Sequence, residues 1–299
     1  MARGNNPDSM MSKGFSTVEL LTKTLALWTR NLRSYIIIVG MVLALFTIVQ
    51  AAIAYFLYGQ FDLTIFADDI GVFLTLIING TMFPEIAGEF YLLNLGISVI
   101  FVLLGLVVTA IVTGSAIRFA LDDATTAKPD VGASMSVGFS KLVPMLILQI
   151  IIGLITGILL APGQAFMAYG LVTSNFEMII NGISIFIVLG VVSLIIIVRI
   201  IAAPVILVVR DQSPFESLNS SFELTRGQTL HIAIGWILVL VVTFIIDFMI
   251  SYFFSIFGFL LGNDLTVLAV TIVNNLLLAP IIYIFYTIVY IDLISRSGM

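Results

Sequence analysis

The chain has 299 residues, of which 61% are hydrophobic and 10% charged, with a formal net charge of −5. A soluble domain carries about a quarter charged residues, so this composition and a mean hydropathy of +1.21 exclude that class in favour of a polytopic membrane protein. There is no cysteine and a single histidine, which excludes disulfides, thiolate chemistry and a histidine-cluster metal centre within one chain. The apolar runs are continuous and long enough to cross a bilayer, unlike the short alternating segments of a β-barrel.

In chain order, residues 1–14 are polar and rich in Gly, Asn, Pro and Ser, the composition of a disordered terminus. The first apolar run is far longer than a signal-peptide core, so no cleavable signal is expected. Residues 15–299 read as one six-span membrane domain. Ser16 to Arg33 has helical periodicity in Val18, Leu21, Leu25, Trp28 and Leu32. Ser16 and Glu19 form a capping-box signature, with Phe15 placed as a staple. This helix is amphipathic and is expected to lie among lipid headgroups.

Tyr35 to Tyr58 is the first span. Residues 59–90 form the longest connection, with Asp62, Asp68, Asp69, Glu85 and Glu89, no Lys or Arg, and an N-glycosylation sequon at Asn79. Its apolar centre, Ile70 to Ile78, is too short to cross and is expected to be interfacial or re-entrant. Tyr91 to about Ala116 is the second span, leading into a polar linker with Arg118, Asp122, Asp123 and Lys128. A short helix carrying Met135 and Phe139 precedes the third span, Leu142 to about Met167. The fourth span runs from about Ile179 to the break at Pro204 and leaves the membrane at Arg210 and Asp211. A capped helix from Ser213 to Gly227 then feeds the fifth span, His231 to Leu261. After a tight turn the sixth runs from about Leu265 to Ile291.

All twelve Lys and Arg residues fall at the N-terminus, in the second and fourth connections, in the inner half of the fourth span or at the C-terminus. By the positive-inside rule both termini are cytoplasmic, in a cell membrane. Three degenerate repeats are expected, over about residues 16–117, 130–211 and 213–293. Each is a cytoplasmic amphipathic helix followed by a two-span hairpin. The Ser213–Leu218 stretch matches Ser16–Leu21, and Asp130 takes the cap position in the middle copy. Ser217, Ser220 and Ser221 are expected on a solvated face.

Asp247 lies well inside the fifth span, where a carboxylate costs roughly 2.5–3.5 kcal/mol on insertion scales. Arg199, Asn274, Asn275 and Gln149 complete the set of candidate intramembrane polar residues. They suit either a polar site for a headgroup or ion, or interhelical hydrogen bonds. Arg199 and Asp247 differ in depth by about a turn and a half, so direct pairing requires tilt or long reach. Phosphate loops, dinucleotide fingerprints, zinc helices and nucleophile elbows are all missing. The basic residues suit anionic lipid and are too sparse for nucleic acid.

Arg199, Pro204, the Val208–Asp211 exit and the run Ser221, Leu224, Thr225, Gly227 together resemble the membrane domain attached to some bacterial glycerophosphodiester phosphodiesterases, and its stand-alone relatives. The resemblance implies a helical membrane domain concerned with lipids or with housing a partner. The catalytic domain of that family has no counterpart here, so catalysis does not carry over. The sequence therefore predicts an all-α, six-span protein with no catalytic residues and no cofactor. It reads as a scaffold or accessory protein that binds membrane lipids or a partner protein. The alternative is a transporter or lipid-translocating protein that uses a polar site between the repeats.

Overall fold

The structure is a computed structural model and describes residues 14–58, 91–126 and 128–297. The acidic connection with Asn79 and the first thirteen residues lie outside the described residues. Among the described residues every regular element is helical. Six helices are long and apolar enough to cross a membrane: Leu32–Leu57, Gly96–Thr125, Leu142–Leu171, Phe176–Arg210, Thr229–Gly258 and Asn263–Ser297.

The elements are α1 (Thr17–Arg30), α2 (Leu32–Tyr35), a π-turn (Ile36–Gly40) and α3 (Met41–Tyr58). Then come α4 (Tyr91–Thr125), α5 (Val131–Ser140), α6 (Leu142–Val172), α7 (Phe176–Ile200) and α8 (Ala203–Arg210). The chain ends with α9 (Pro214–Leu224), α10 (Thr229–Leu261), α11 (Asn263–Leu277) and α12 (Ala279–Ser297). They fall into two compact units: Met1–Ile48, Ala110–Met145 and Val198–Met299 form one, and Val49–Thr109 and Leu146–Ile197 the other.

In the first unit, three short lead-in helices, α1, α5 and α9, each begin on a side-chain cap. Ser16 Oγ accepts from the Glu19 amide at 3.2 Å while the Glu19 carboxylate accepts from the Ser16 amide at 2.5 Å. Ser213 and Glu216 repeat this box at 3.4 and 3.0 Å. Asp130 caps the Ala133 amide at 2.6 Å. These bonds satisfy amides that the first helical turn leaves unpaired.

The three lead-in helices also share a burial register. The fourth and eighth residues after each cap are buried: Leu20 and Thr24, Ser134 and Gly138, Ser217 and Ser221. This corrects the sequence expectation for the faces. Ser217 and Ser221 are wholly buried rather than solvated. In α1 the buried stripe is Leu20, Thr24 and Leu27, while Val18 is 60% exposed. Phe139 and Phe222 are likewise exposed. Small residues permit close helix approach, and in a bilayer the larger apolar side chains have no need to turn inward.

The spans depart from regularity at three places in this unit. The first contains the π-turn, where Gly40 meets α11. A Cβ on Gly40 would come within 2.7 Å of the Leu276 backbone, so no other residue fits there without displacing that helix. The fourth span breaks at Ile201–Ala202, and Pro204 occupies the first turn of α8. The sixth span breaks at Leu278, ahead of Pro280, a break that the sequence reading did not anticipate. Proline lacks the donor that would continue each ladder. The second span, by contrast, continues unbroken to Thr125, where a polar linker was expected. Arg118 and Asp122 pair one turn apart along it at 3.0 Å.

In the second unit, Val102 and Leu106 of α4 pack against Leu146 and Ile150 of α6. Thr109 donates to Gln149 Oε1 at 3.1 Å between the same two helices. The chain turns from α6 to α7 through Ser174, at φ 50°, and Asn175, whose side chain caps the Met178 amide at 3.2 Å.

Candidate functional site

The break in the fourth span is closed by α9. The Arg199 carbonyl accepts from Ser221 Oγ at 2.9 Å and Thr225 Oγ1 at 3.2 Å. In return the Arg199 guanidinium donates to the Phe222 carbonyl at 3.0 Å and lies over the Phe222 ring, 5.3 Å from its centroid. Arg199, Ser221, Phe222 and Thr225 thus form one clasp, in which each segment hydrogen-bonds the other's backbone, and Pro204 lies in the first turn of the helix beyond the break. Gly227, at φ 80°, ends the α9 segment in a conformation that favours glycine. Leu224 is the residue of α9 just before its C-cap, Thr225.

The break in the sixth span receives a similar bond. Ile281 donates to Leu278 instead of Leu277. The free Leu277 carbonyl accepts from the Trp28 indole of α1 at 2.9 Å. Helix α1 is packed against α12 and α10.

Two buried carboxylates tie these elements down. Asp292, wholly buried, accepts from the Phe15 amide at 2.6 Å and from Arg296 Nε at 3.0 Å. Its other oxygen meets His231 Nε2 at 3.1 Å, and His231 Nδ1 meets Thr17 Oγ1 at 3.1 Å. Hydroxyl, imidazole and carboxylate in this order resemble a nucleophilic relay. Here, however, the carboxylate is shared with Arg296 and a backbone amide, and the bonding docks the start of α1 onto α10 and α12. Asp123, 1% exposed, takes Arg30 and the Asn31 amide, the latter at 2.7 Å. Tyr35 lies beside the same carboxylate.

In the sequence Asp123 falls in the polar linker after the second span, Asp292 and Arg296 follow the end of the sixth span and His231 begins the fifth, with no local pattern that joins all four. The Arg296–Asp292 pair is one helical turn apart and was available to pattern reasoning. The bond from Phe15 to Asp292 spans 277 residues and has no local signature.

The four intramembrane candidates of the first unit have different partners. Asp247 accepts a hydrogen bond from Asn274. Asn275 donates to Thr47 at 2.8 Å. Gln149 is the partner of Thr109 in the second unit. Arg199 is held by α9 and Asp247 by α11. Asp247 and Asn274 line a groove of about 530 Å³ between α10 and α11, with Ile237, Val241, Thr243, Phe244 and Leu278 also in its lining. A second hollow of about 380 Å³ adjoins it, with Trp236, Asn275 and Tyr283 in its lining. Among the described residues no group of three or more His, Cys, Asp or Glu side chains could hold a metal ion.

These features define a polytopic α-helical membrane protein with a polar clasp, two buried carboxylate ties and a lateral, mainly apolar groove. Among known proteins, no family model, no curated protein and no solved structure matches the chain.

Proposed function

We propose that the chain is a non-enzymatic scaffold or accessory protein of the cell membrane, and that it holds lipid. The observation that carries this reading is the groove between α10 and α11. Phe244, Val241 and Ile237 line it and are 67%, 49% and 45% exposed. It lies along the apolar length of the spans, where the available ligand is an acyl chain. The buried charges elsewhere are consumed in holding helices together. The resemblance to a phosphodiesterase-associated membrane domain fits the same reading, because three of its residues, Arg199, Ser221 and Thr225, build the clasp. The charge distribution supports cytoplasmic termini. The shared caps and burial register of α1, α5 and α9 support three repeats.

Native mass spectrometry of the full chain tests the reading. Wild type is expected to retain phospholipid through detergent exchange, and Phe244→Trp together with Val241→Trp, which fill the groove, to retain less. Equal retention by wild type and the filled variant removes the groove as the lipid site.

A second reading is a transporter or lipid-translocating protein. It is favoured by the Asp247–Asn274 pair on the groove wall and by the helix breaks at Ile201–Ala202 and Leu278. Movement of labelled lipid across proteoliposomes that Asp247→Asn abolishes would select it. An unchanged rate in the variant would reject Asp247 as its site.

A further inference from the structure

A separate pocket of about 370 Å³ opens where three spans end. It is lined by Arg210, Arg226 and Arg296, with Ser220, Glu223 and Gln228. Arg210 closes the fourth span, Gln228 directly precedes the fifth, and Arg296 lies one residue before the end of the sixth. The pocket is therefore at the depth where lipid headgroups lie.

The three guanidiniums are not equivalent. Arg296 gives its Nε to buried Asp292, which neutralises it. The guanidiniums of Arg210 and Arg226 make no hydrogen bond or ion pair among the described residues, and both residues are exposed. The Glu223 carboxylate accepts one hydrogen bond, from the Asn219 side chain at 3.3 Å. Two free guanidiniums against one carboxylate leave one positive charge. That balance fits a singly charged phosphodiester better than a doubly charged phosphate monoester. Guanidinium groups bind phosphate oxygens with paired, planar donors. Glu223 and Ser220, on the same wall, suit hydroxyl donors attached to the phosphate. Leu224 and Leu293 supply apolar surface beside them.

We propose that this pocket binds the headgroup of an anionic phospholipid of the phosphatidylglycerol type. Arg210 and Arg226 take the phosphate oxygens, and Glu223 and Ser220 take the headgroup hydroxyls. The site is distinct from the groove between α10 and α11 and does not rest on it.

The test uses the full chain in detergent micelles, titrated with dioleoyl phosphatidylglycerol or dioleoyl phosphatidylcholine and read by native mass spectrometry. Wild type is expected to prefer phosphatidylglycerol by about tenfold or more, the scale of one or two charge-assisted contacts. Arg210→Gln with Arg226→Gln is expected to abolish the preference. Arg210→Lys with Arg226→Lys, which keeps the charge, is expected to retain part of it. No preference in wild type, or the same preference in the Gln double variant, overturns the proposal. Displacement of the lipid by equimolar sn-glycerol 3-phosphate also overturns it, because a soluble phosphate ester would then be the ligand.

Discussion

At the residue scale, the stability of the first unit rests on carboxylates that have given up water for specific partners. Asp292 is wholly buried and joins the Phe15 amide, His231 and Arg296. Removing one partner of such a pair leaves the other charge without compensation, at a cost of about 3 kcal/mol. Asp292→Asn keeps the volume and loses the charge. It is expected to lower unfolding stability in micelles by about that amount, and to increase proteolysis near Phe15 as α1 loosens. Glu216 behaves differently because it is exposed on the surface of α9. Hydrogen bonds from the Ser213 backbone and side chain hold its carboxyl below the usual glutamate range. A depressed pKa in the folded state means that the cap's contribution is fully present above the unfolded value. It is lost as pH falls through the folded one. Amide exchange at the start of α9 is therefore expected to be slower in wild type than in Glu216→Gln at neutral pH. The two should converge as pH drops below the ordinary glutamate range. A constant difference across that range would show that the carboxylate is not the capping group.

At the scale of elements, the lead-in helices repair breaks in the spans. Helix α9 serves the fourth span through Ser221 and Thr225, and α1 serves the sixth through Trp28. Each bond satisfies a backbone carbonyl that the membrane interior cannot hydrate. Ser221→Ala with Thr225→Val removes both donors to Arg199 and is expected to cost about 1 kcal/mol per hydroxyl. Trp28→Phe is expected to cost about 1 kcal/mol through Leu277. Because the sites involve different helices, the losses should add when the variants are combined. Thermal unfolding of the three proteins measures this. The caps of these helices were legible in the sequence, since a Ser followed three residues later by Glu has a local mechanism. Their buried faces were not. Periodicity selected the larger apolar residues, whereas the bundle-facing positions include Thr24, Ser134, Ser217 and Ser221, which hydropathy counts as polar. The break at Pro204 was legible because Arg210 and Asp211 follow it. Pro280 sits in a run with no such marker, and its break shows only in three dimensions. Of the candidate site, the identity of Asp247 and Asn274 was legible. Their pairing was not, because it depends on how α10 and α11 are rotated.

At the scale of the whole molecule, six apolar lengths dominate everything else, and that is why the spans were readable from hydropathy alone. Orientation in the membrane is a matter of charge placement. Lys128 and Lys141 flank α5, and Arg210 and Arg226 flank α9, while Glu177 and Asp264 lie by the turns at the opposite ends of the third to sixth spans. Translocating a turn that carries only carboxylates is easier than translocating one that carries Lys and Arg, so the acidic turns are expected outside. Because the chain has no cysteine, the prediction can be checked with single introduced thiols. Ser174→Cys lies in the turn between α6 and α7, at a residue exposed in the structure. Lys128→Cys lies before α5, also exposed. A membrane-impermeant maleimide applied to intact cells should label the first and not the second, and permeabilisation should bring the second up to the level of the first. The reverse pattern would invert the topology. It would also move the Arg210–Arg226 pocket to the outer leaflet, and with it the lipid population from which its ligand is drawn.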